Sequence, residues 1–288
     1  MPAATTHAEF AAKVYSLLKE DIRKRITSLP MYYLGSQGPD ILFFSRYMFL
    51  PGSLGDYGSL MHKKKIRETI HFLDKNAVTP SLRSYYYGFL THYALDSTCH
   101  GLINAFSKME HETKGIPESE AHFRMEGELD VWTMNQLGKT IRDYRVHDML
   151  RISDQEARDL ALLYHDLFEK VYGLNIDTKR FRQASIDCIR ITAFLSPGYF
   201  KYKLAGFIES IARMPHLITG MMWNDKEGAV PDLLNFDHGT WNWYGENSQS
   251  YPELFDRALN LALKLSEKAD DRLIKKTFTS EPLGETIL

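Results

Sequence analysis

The sequence predicts an all-α protein, a single multi-helix domain over residues 1–288. Apolar residues recur at helical spacing along most of the chain. No run alternates as a strand would. No internal repeat or low-complexity linker divides the chain, and 288 residues, 44% of them hydrophobic, can bury a sizeable core.

The elements follow in order. Phe10, Val14, Leu17 and Leu18 share helical spacing in a first helix from about His7 to Arg25. Gly35 to Asp40 is a loop by composition, as is Pro51 to Gly58. Met61 and His62 lead a charged helix to about Lys75. Pro80 opens a long helix to about Lys108. Another runs from Gly115-Ile116-Pro117-Glu118 to about Gln136. Ser153, Asp154 and Glu156 signal a helix start, with apolar spacing continuing to Tyr172. Asp177–Phe194 and Pro197–Leu217 read as further helices. Residues 221–250 are irregular and rich in Asn, Gly, Trp and Pro. The last helix runs from Pro252 to about Lys276, with a loose tail beyond it.

Lys+Arg number 35 against Asp+Glu 37, a formal net charge of −2. That balance gives no bulk attraction to nucleic acid or to an anionic membrane. Two cysteines, Cys99 and Cys188, exclude a disulfide-framed module. No signal peptide and no transmembrane segment are apparent, which points to a cytoplasmic location.

The chemistry concentrates in Gly88 to His100. His92, Asp96 and His100 are spaced by four, so they form one stripe on a helix. The flanking Phe89-Leu90, Tyr93 and Ala94-Leu95 imply that the stripe is buried, and buried polar groups need partners. Gly88 lies one turn above His92, leaving room for a ligand or another helix. On the next helix His122 and Glu126 repeat the spacing. Zinc accepts imidazole nitrogen and carboxylate oxygen, and residues one turn apart can aim both at one ion. A solvated i,i+4 pair is the ordinary alternative for His122 and Glu126.

In this order, and preceded by His7, the segments Gly35–Asp40, Met61-His62, Gly88–His100 and His122–Glu126 resemble the zinc-dependent phospholipase C family. Fungal single-strand nucleases share its fold and metal cluster. The motifs cover roughly residues 7–130; residues 150–288 add C-terminal helices and a Trp-rich loop. The resemblance implies that Asp40, His62, His92 and Asp96 hold one zinc and that His100, His122 and Glu126 hold a second. Asp96 would bridge to a third, for which His7 is the other side-chain ligand. His111, in a charged loop, is a poorer substitute for His100. The implied activity is hydrolysis of a phosphodiester by metal-activated water, with Asp40 either a ligand only or the group that orients or deprotonates that water. The implied partner is a phospholipid or other phosphodiester substrate, with peripheral membrane contact. The alternatives are a nuclease or other phosphoesterase on the same cluster, or a non-catalytic helical binding protein held by metal.

Other features have plainer readings. His147-Asp148 and His165-Asp166 match the His-Asp dyad of another helical metallophosphohydrolase superfamily, but such dipeptides arise by chance. Asp237-His238 is a surface loop. Trp223, Trp241, Trp243 and Tyr244 either rim a cleft or lipid surface, or pack an irregular segment against the body. Lys63-Lys64-Lys65 is a solvated face that could attract a phosphate. Tyr85, Tyr86 and Tyr87 read as core packing, and Cys99 as a buried thiol.

Overall fold

The computed structural model describes residues 4–47, 50–140, 145–196, 199–212, 217–222 and 231–284. Helices dominate. The first seven are α1 (Ala4–Leu17), α2 (Glu20–Arg23), α3 (Leu29–Gly35), α4 (Gly55–Lys63), α5 (Ile66–Asn76), α6 (Pro80–Lys114) and α7 (Glu118–Gln136). Then come α8 (Val146–Met149), α9 (Asp154–Leu167), α10 (Thr178–Leu195), α11 (Tyr199–Ala212), α12 (Leu217–Met221), α13 (Pro231–Leu234) and α14 (Tyr251–Glu267). Among the described residues the only sheet is a hairpin, β1 (Trp241–Asn242) against β2 (Glu246–Asn247), inside the segment expected to be irregular. None of the described helices is long and apolar enough to cross a membrane.

Helix α6 is the axis of the fold, packed by α3, α14, α7 and α1. Its start is the expected one: Pro80 occupies the first turn and the Thr79 hydroxyl accepts from Leu82 N at 3.2 Å. Its end lies beyond the expected Lys108. Gly115, at φ 68, adopts the left-handed conformation and its N–H donates to His111 O. From Tyr85 to Ile103 every residue is buried, so α6 has no solvent face over five turns.

Two glycines allow this. A Cβ at Gly88 would lie 1.9 Å from Tyr32 O, and one at Gly35 would lie 2.1 Å from Tyr85 O. Helices α3 and α6 therefore cross backbone against backbone, and the room above His92 is filled by a helix.

Several expected boundaries move. The first helix stops at Leu17, which is exposed, because Lys19 is extended (φ −56, ψ 147) and α2 starts afresh. The expected loop at 35–40 is instead the end of α3 followed by a 3-10 turn, Gly38–Leu42. Helix α4 already begins at Gly55. Ser153 and Glu156 form a reciprocal capping box, and α9 passes into a π-helical turn, Phe168–Tyr172. The helix expected from Pro197 appears as α11, while Pro197 itself and residues 213–216 lie outside the described residues, as does Trp223. Helix α14 ends at Glu267, not Lys276, where Lys268 turns extended.

The tail after Lys276 is not loose. Ile274 and Phe278 are fully buried, and Ser280 Oγ donates toward Asp96 O and Ser97 O while accepting from Gly101 N. One continuous apolar cluster extends from Ala4 to Phe278.

Candidate metal centre

All eight residues expected at the site converge on α6. The sequence brings His92, Asp96 and His100 to one face, and α1, α4, α7 and the 38–42 turn bring the rest. Each of the eight except His122, which is part exposed, is buried.

Asp96 is the centre. Its Oδ2 lies 3.1 Å from His92 Nε2 and 3.8 Å from His62 Nε2. Its Oδ1 lies 3.2 Å from His7 Nε2 and 3.3 Å from His100 Nδ1. His62 Nε2 also faces Asp40 Oδ1 at 3.0 Å. A separate group closes around Glu126, whose Oε1 is 3.0 Å from His100 Nε2 and 3.2 Å from His122 Nε2. His100 thus touches both groups, one ring nitrogen toward each carboxylate.

Backbone carbonyls orient two of the imidazoles. His62 Nδ1 is 2.8 Å from Gly58 O, and His92 Nδ1 is 3.0 Å from Ser36 O. A carbonyl can only accept, so each Nδ1 carries the proton and each Nε2 points its lone pair at the carboxylates. The His7 ring stacks on His92 at 4.4 Å between centroids. Its helix is held from across the fold, because Asp130 Oδ1 accepts from Thr6 N and Thr6 Oγ1, both at 2.7 Å. Burial pushes the Asp130 carboxyl up to about 7, against these hydrogen bonds.

Gly38 completes the cradle. At φ +51 it takes a left-handed turn, and a Cβ there would lie 2.2 Å from the His92 ring. Only glycine lets the Asp40 turn close on that imidazole.

The charge states suit a cation. Burial works to raise Asp96, but His100, His92 and His7 around it hold the carboxyl well below its ordinary range. Burial likewise opposes Glu126 and Asp40, and their neighbours, including His122 and His100 at Glu126 and His62 and His92 at Asp40, keep both low. All three carboxylates are anionic at neutral pH. Burial would lower His100, yet Asp96 and then Glu126 raise its imidazole to about 10.

These donors fit zinc. Two ligands at about 2.0–2.1 Å from a tetrahedral zinc lie about 3.3 Å from one another, and the close pairs here span 3.0–3.3 Å. His7 Nδ1, Asp40 Oδ1, His62 Nε2, His92 Nε2, Asp96 Oδ2 and His100 Nδ1 are buried without a hydrogen-bond partner. Such atoms are costly unless a cation serves them. Three sets have ligand atoms close enough to share an ion: His7, His92 and Asp96; Asp40, His62 and His92; His100, His122 and Glu126.

A cavity of about 440 Å³ opens on this centre, lined by His62, His100 and His122 with Phe43, Lys63 and Phe123 among others. Sequence reasoning missed two residues that shape the site. The Phe278 ring sits against His62 and His92 at 5.3 and 5.5 Å, and Ser280 braces the Asp96 turn. Both lie in the stretch expected to be loose, where the run Phe278-Thr279-Ser280 carries no periodicity. Their signal was a single large apolar residue outside any helix.

The remaining candidates fall elsewhere. Trp241 Nε1 donates to Gln249 O, Trp243 Nε1 donates to Thr279 O, and both rings pack on Gly101; neither lines the cavity. Tyr244 is exposed. His111 is exposed and turns to Ile116 O. His165, Asp166 and Glu169 are within reach of one ion, but His165 and Asp166 are part exposed, Glu169 is exposed, and Asp166 pairs with Lys170 at 2.6 Å. His147 and Asp148 stand 3.6 Å apart beside an exposed carboxylate, and His238 is exposed. Tyr85, Tyr86 and Tyr87 are core, and Cys99 and Cys188 are free buried thiols.

No curated protein and no solved structure matches the chain closely enough to argue from. A model of the family described as zinc dependent phospholipase C matches residues 6–174, more than half of the chain and all eight site residues. Together with the converging imidazoles and carboxylates, that match means the chain belongs to the zinc-dependent phospholipase C family.

Proposed function

We propose that this protein is a zinc-dependent hydrolase of phospholipid phosphodiesters, cutting between glycerol and phosphate. The observation that carries the reading is Asp96, which turns one oxygen to His92 and His62 and the other to His7 and His100, under a cavity of about 440 Å³.

In this reading Asp40, His62, His92 and Asp96 hold one zinc, and His100, His122 and Glu126 hold a second. The second set has three protein ligands, which leaves a position open, as catalytic sites require. A third ion would rest on His7 and Asp96. Zinc supplies neutralisation of the phosphate charge and a lowered pKa for adjacent water. Asp40 orients that water: a carboxyl held below its ordinary range suits an acceptor that directs a proton better than a base that keeps it. Lys63, exposed on the same wall, offers a point charge to the phosphate. Phe43 and Phe123 give that wall an apolar character suited to a lipid neighbour.

The test strips the protein with chelator, restores zinc, counts ions per chain by mass spectrometry, and offers phosphatidylcholine micelles or a single-stranded oligonucleotide. Two or more zincs with restored release of phosphocholine support the reading. Oligonucleotide cleavage alone would move the chain to the nuclease alternative. Inactivity on both after zinc loading would leave a metal-held binding protein.

A further inference from the structure

Helix α11 is built inside out. Phe200, Leu204, Phe207, Ile208 and Ile211 follow one another at spacings that place them on a single face. That face is solvent-exposed, with Phe200 at 79%, Phe207 at 63% and Ile211 at 68%. The opposite face, turned to the protein, carries Tyr202 with the small or polar Ala205, Gly206 and Glu209. Phe194, at the end of α10, extends the apolar patch. A water-facing stripe of five large apolar side chains marks an interaction surface.

The helix is fastened to the metal centre. Glu209 accepts from Ile218 N at 2.5 Å and from Thr219 Oγ1 at 2.6 Å, which ties α11 to the start of α12. Helix α12 lies directly on α7, since a Cβ at Gly127 would meet Gly220 O at 2.8 Å. Gly127 follows Glu126, and Phe123 on the same helix touches Gly220 and lines the cavity. Whatever α11 binds is therefore held close to the helix that carries His122 and Glu126.

We infer that α11 docks the protein on a phospholipid bilayer by lying in the headgroup region with this face inward. Charge complementarity favours lipid. Glu209 is the only acidic residue of α11, and it is buried and engaged with α12, so the outer face presents no carboxylate to phosphate headgroups. Lys201 and Lys203 flank the stripe, and Lys201 Nζ donates to Phe194 O at 3.1 Å and lies 6.0 Å from the centre of the Phe194 ring, which puts positive charge at the edge of the apolar patch. At 14 residues the helix is about 21 Å long, too short to span a bilayer and suited to lying in its interface. The element lies outside the matched residues 6–174. The choice of lipid as partner rests on the phospholipase reading of the metal centre.

The experiment is co-sedimentation of the full zinc-loaded chain with phosphatidylcholine vesicles, and with vesicles containing phosphatidylserine. It compares wild type, the triple substitution Phe200→Ser, Phe207→Ser and Ile211→Ser, and the conservative Phe207→Leu. Circular dichroism verifies folding, and bis(p-nitrophenyl) phosphate reads the metal centre in solution. Wild type and Phe207→Leu should pellet with vesicles, and the triple variant should partition on the order of tenfold less or worse. Turnover of vesicle lipid should fall with it while turnover of the soluble ester stays unchanged. A wild type that stays in the supernatant with both vesicles, or a triple variant that pellets equally, overturns the proposal. So does a wild-type dimer that the triple variant dissociates without any vesicle binding, which would make the face a self-contact. Vesicle binding lost in the triple variant, with neither ester hydrolysed by wild type, would keep the docking surface and refute the phospholipase reading.

Discussion

Helix α6 buries two imidazoles and a carboxylate in one stripe, whereas α11 exposes five large apolar side chains in one stripe. Each runs against the preference of its groups, and the two are compensated differently. Around α6, four other elements bring donors and acceptors to within 3.0–3.8 Å, leaving a cluster of lone pairs arranged for a cation. The stripe on α11 faces outward, so its compensation has to come from another medium. A helix that breaks the ordinary burial pattern marks where the fold expects a partner, and the polarity of the misplaced groups states what kind.

The largest expected effect breaks the α6 side. Asp96→Asn removes the charge and leaves a single acceptor oxygen where two are used. Zinc content should fall, and hydrolysis should drop by more than the ~10–100-fold that loss of an outer-shell partner costs. Mass spectrometry beside bis(p-nitrophenyl) phosphate turnover reads both; a mutant with full zinc and full rate would end the claim that Asp96 is a metal ligand.

A matched pair of truncations sharpens the contrast. Phe89 on α6 is fully buried, so Phe89→Ala should destabilise by about 3–5 kcal/mol. Phe207 on α11 is 63% exposed, and Phe207→Ala should stay within about 0.5 kcal/mol. Urea unfolding measures the two, and equal costs would mean that α11 is covered in solution.

Gly88→Ala comes next. Its Cβ would meet the Tyr32 carbonyl at 1.9 Å, and neither helix backbone can give way cheaply. A loss of about 1–3 kcal/mol or more is expected. An unchanged urea midpoint would show that the α3–α6 crossing is looser than described.

The smallest effect is in pH. In metal-free protein the folded state raises His100 from 6.5 to about 10, after burial has worked against it. The stability this contributes is fully present below pH 6.5 and is lost as pH rises through 10. Asp96 and Glu126 act oppositely, and their contribution fades only in acid. Chelated protein should therefore lose stability from pH 6.5 toward 10, and zinc, which displaces the His100 proton, should flatten that slope. Parallel slopes with and without zinc would place His100 outside the ligand set.

Legibility differed between the two regions. The stripe of His92, Asp96 and His100 carried its own signal, because its apolar flanks imply burial and buried polar groups need partners. Gly35 to Asp40 read as loop, because Gly38 serves a close approach to His92 that no local pattern encodes. Phe278 and Ser280 were invisible, since they sit in irregular chain and meet α6 only through contacts some 180 residues distant. Trp241 and Trp243 could be read as rim or packing from sequence, and their packing on Gly101 decides it.

The sequence by itself determined the helical class, the shared face of His92, Asp96 and His100, and the pairing of His122 with Glu126. Helical periodicity is a local property that spacing alone expresses. Only the tertiary structure decided which oxygen of Asp96 faces which imidazole, which ring nitrogen a backbone carbonyl fixes, and that α11 turns its apolar face outward. Those depend on how each helix is rotated about its own axis, and that rotation is set by contacts between residues far apart in the chain.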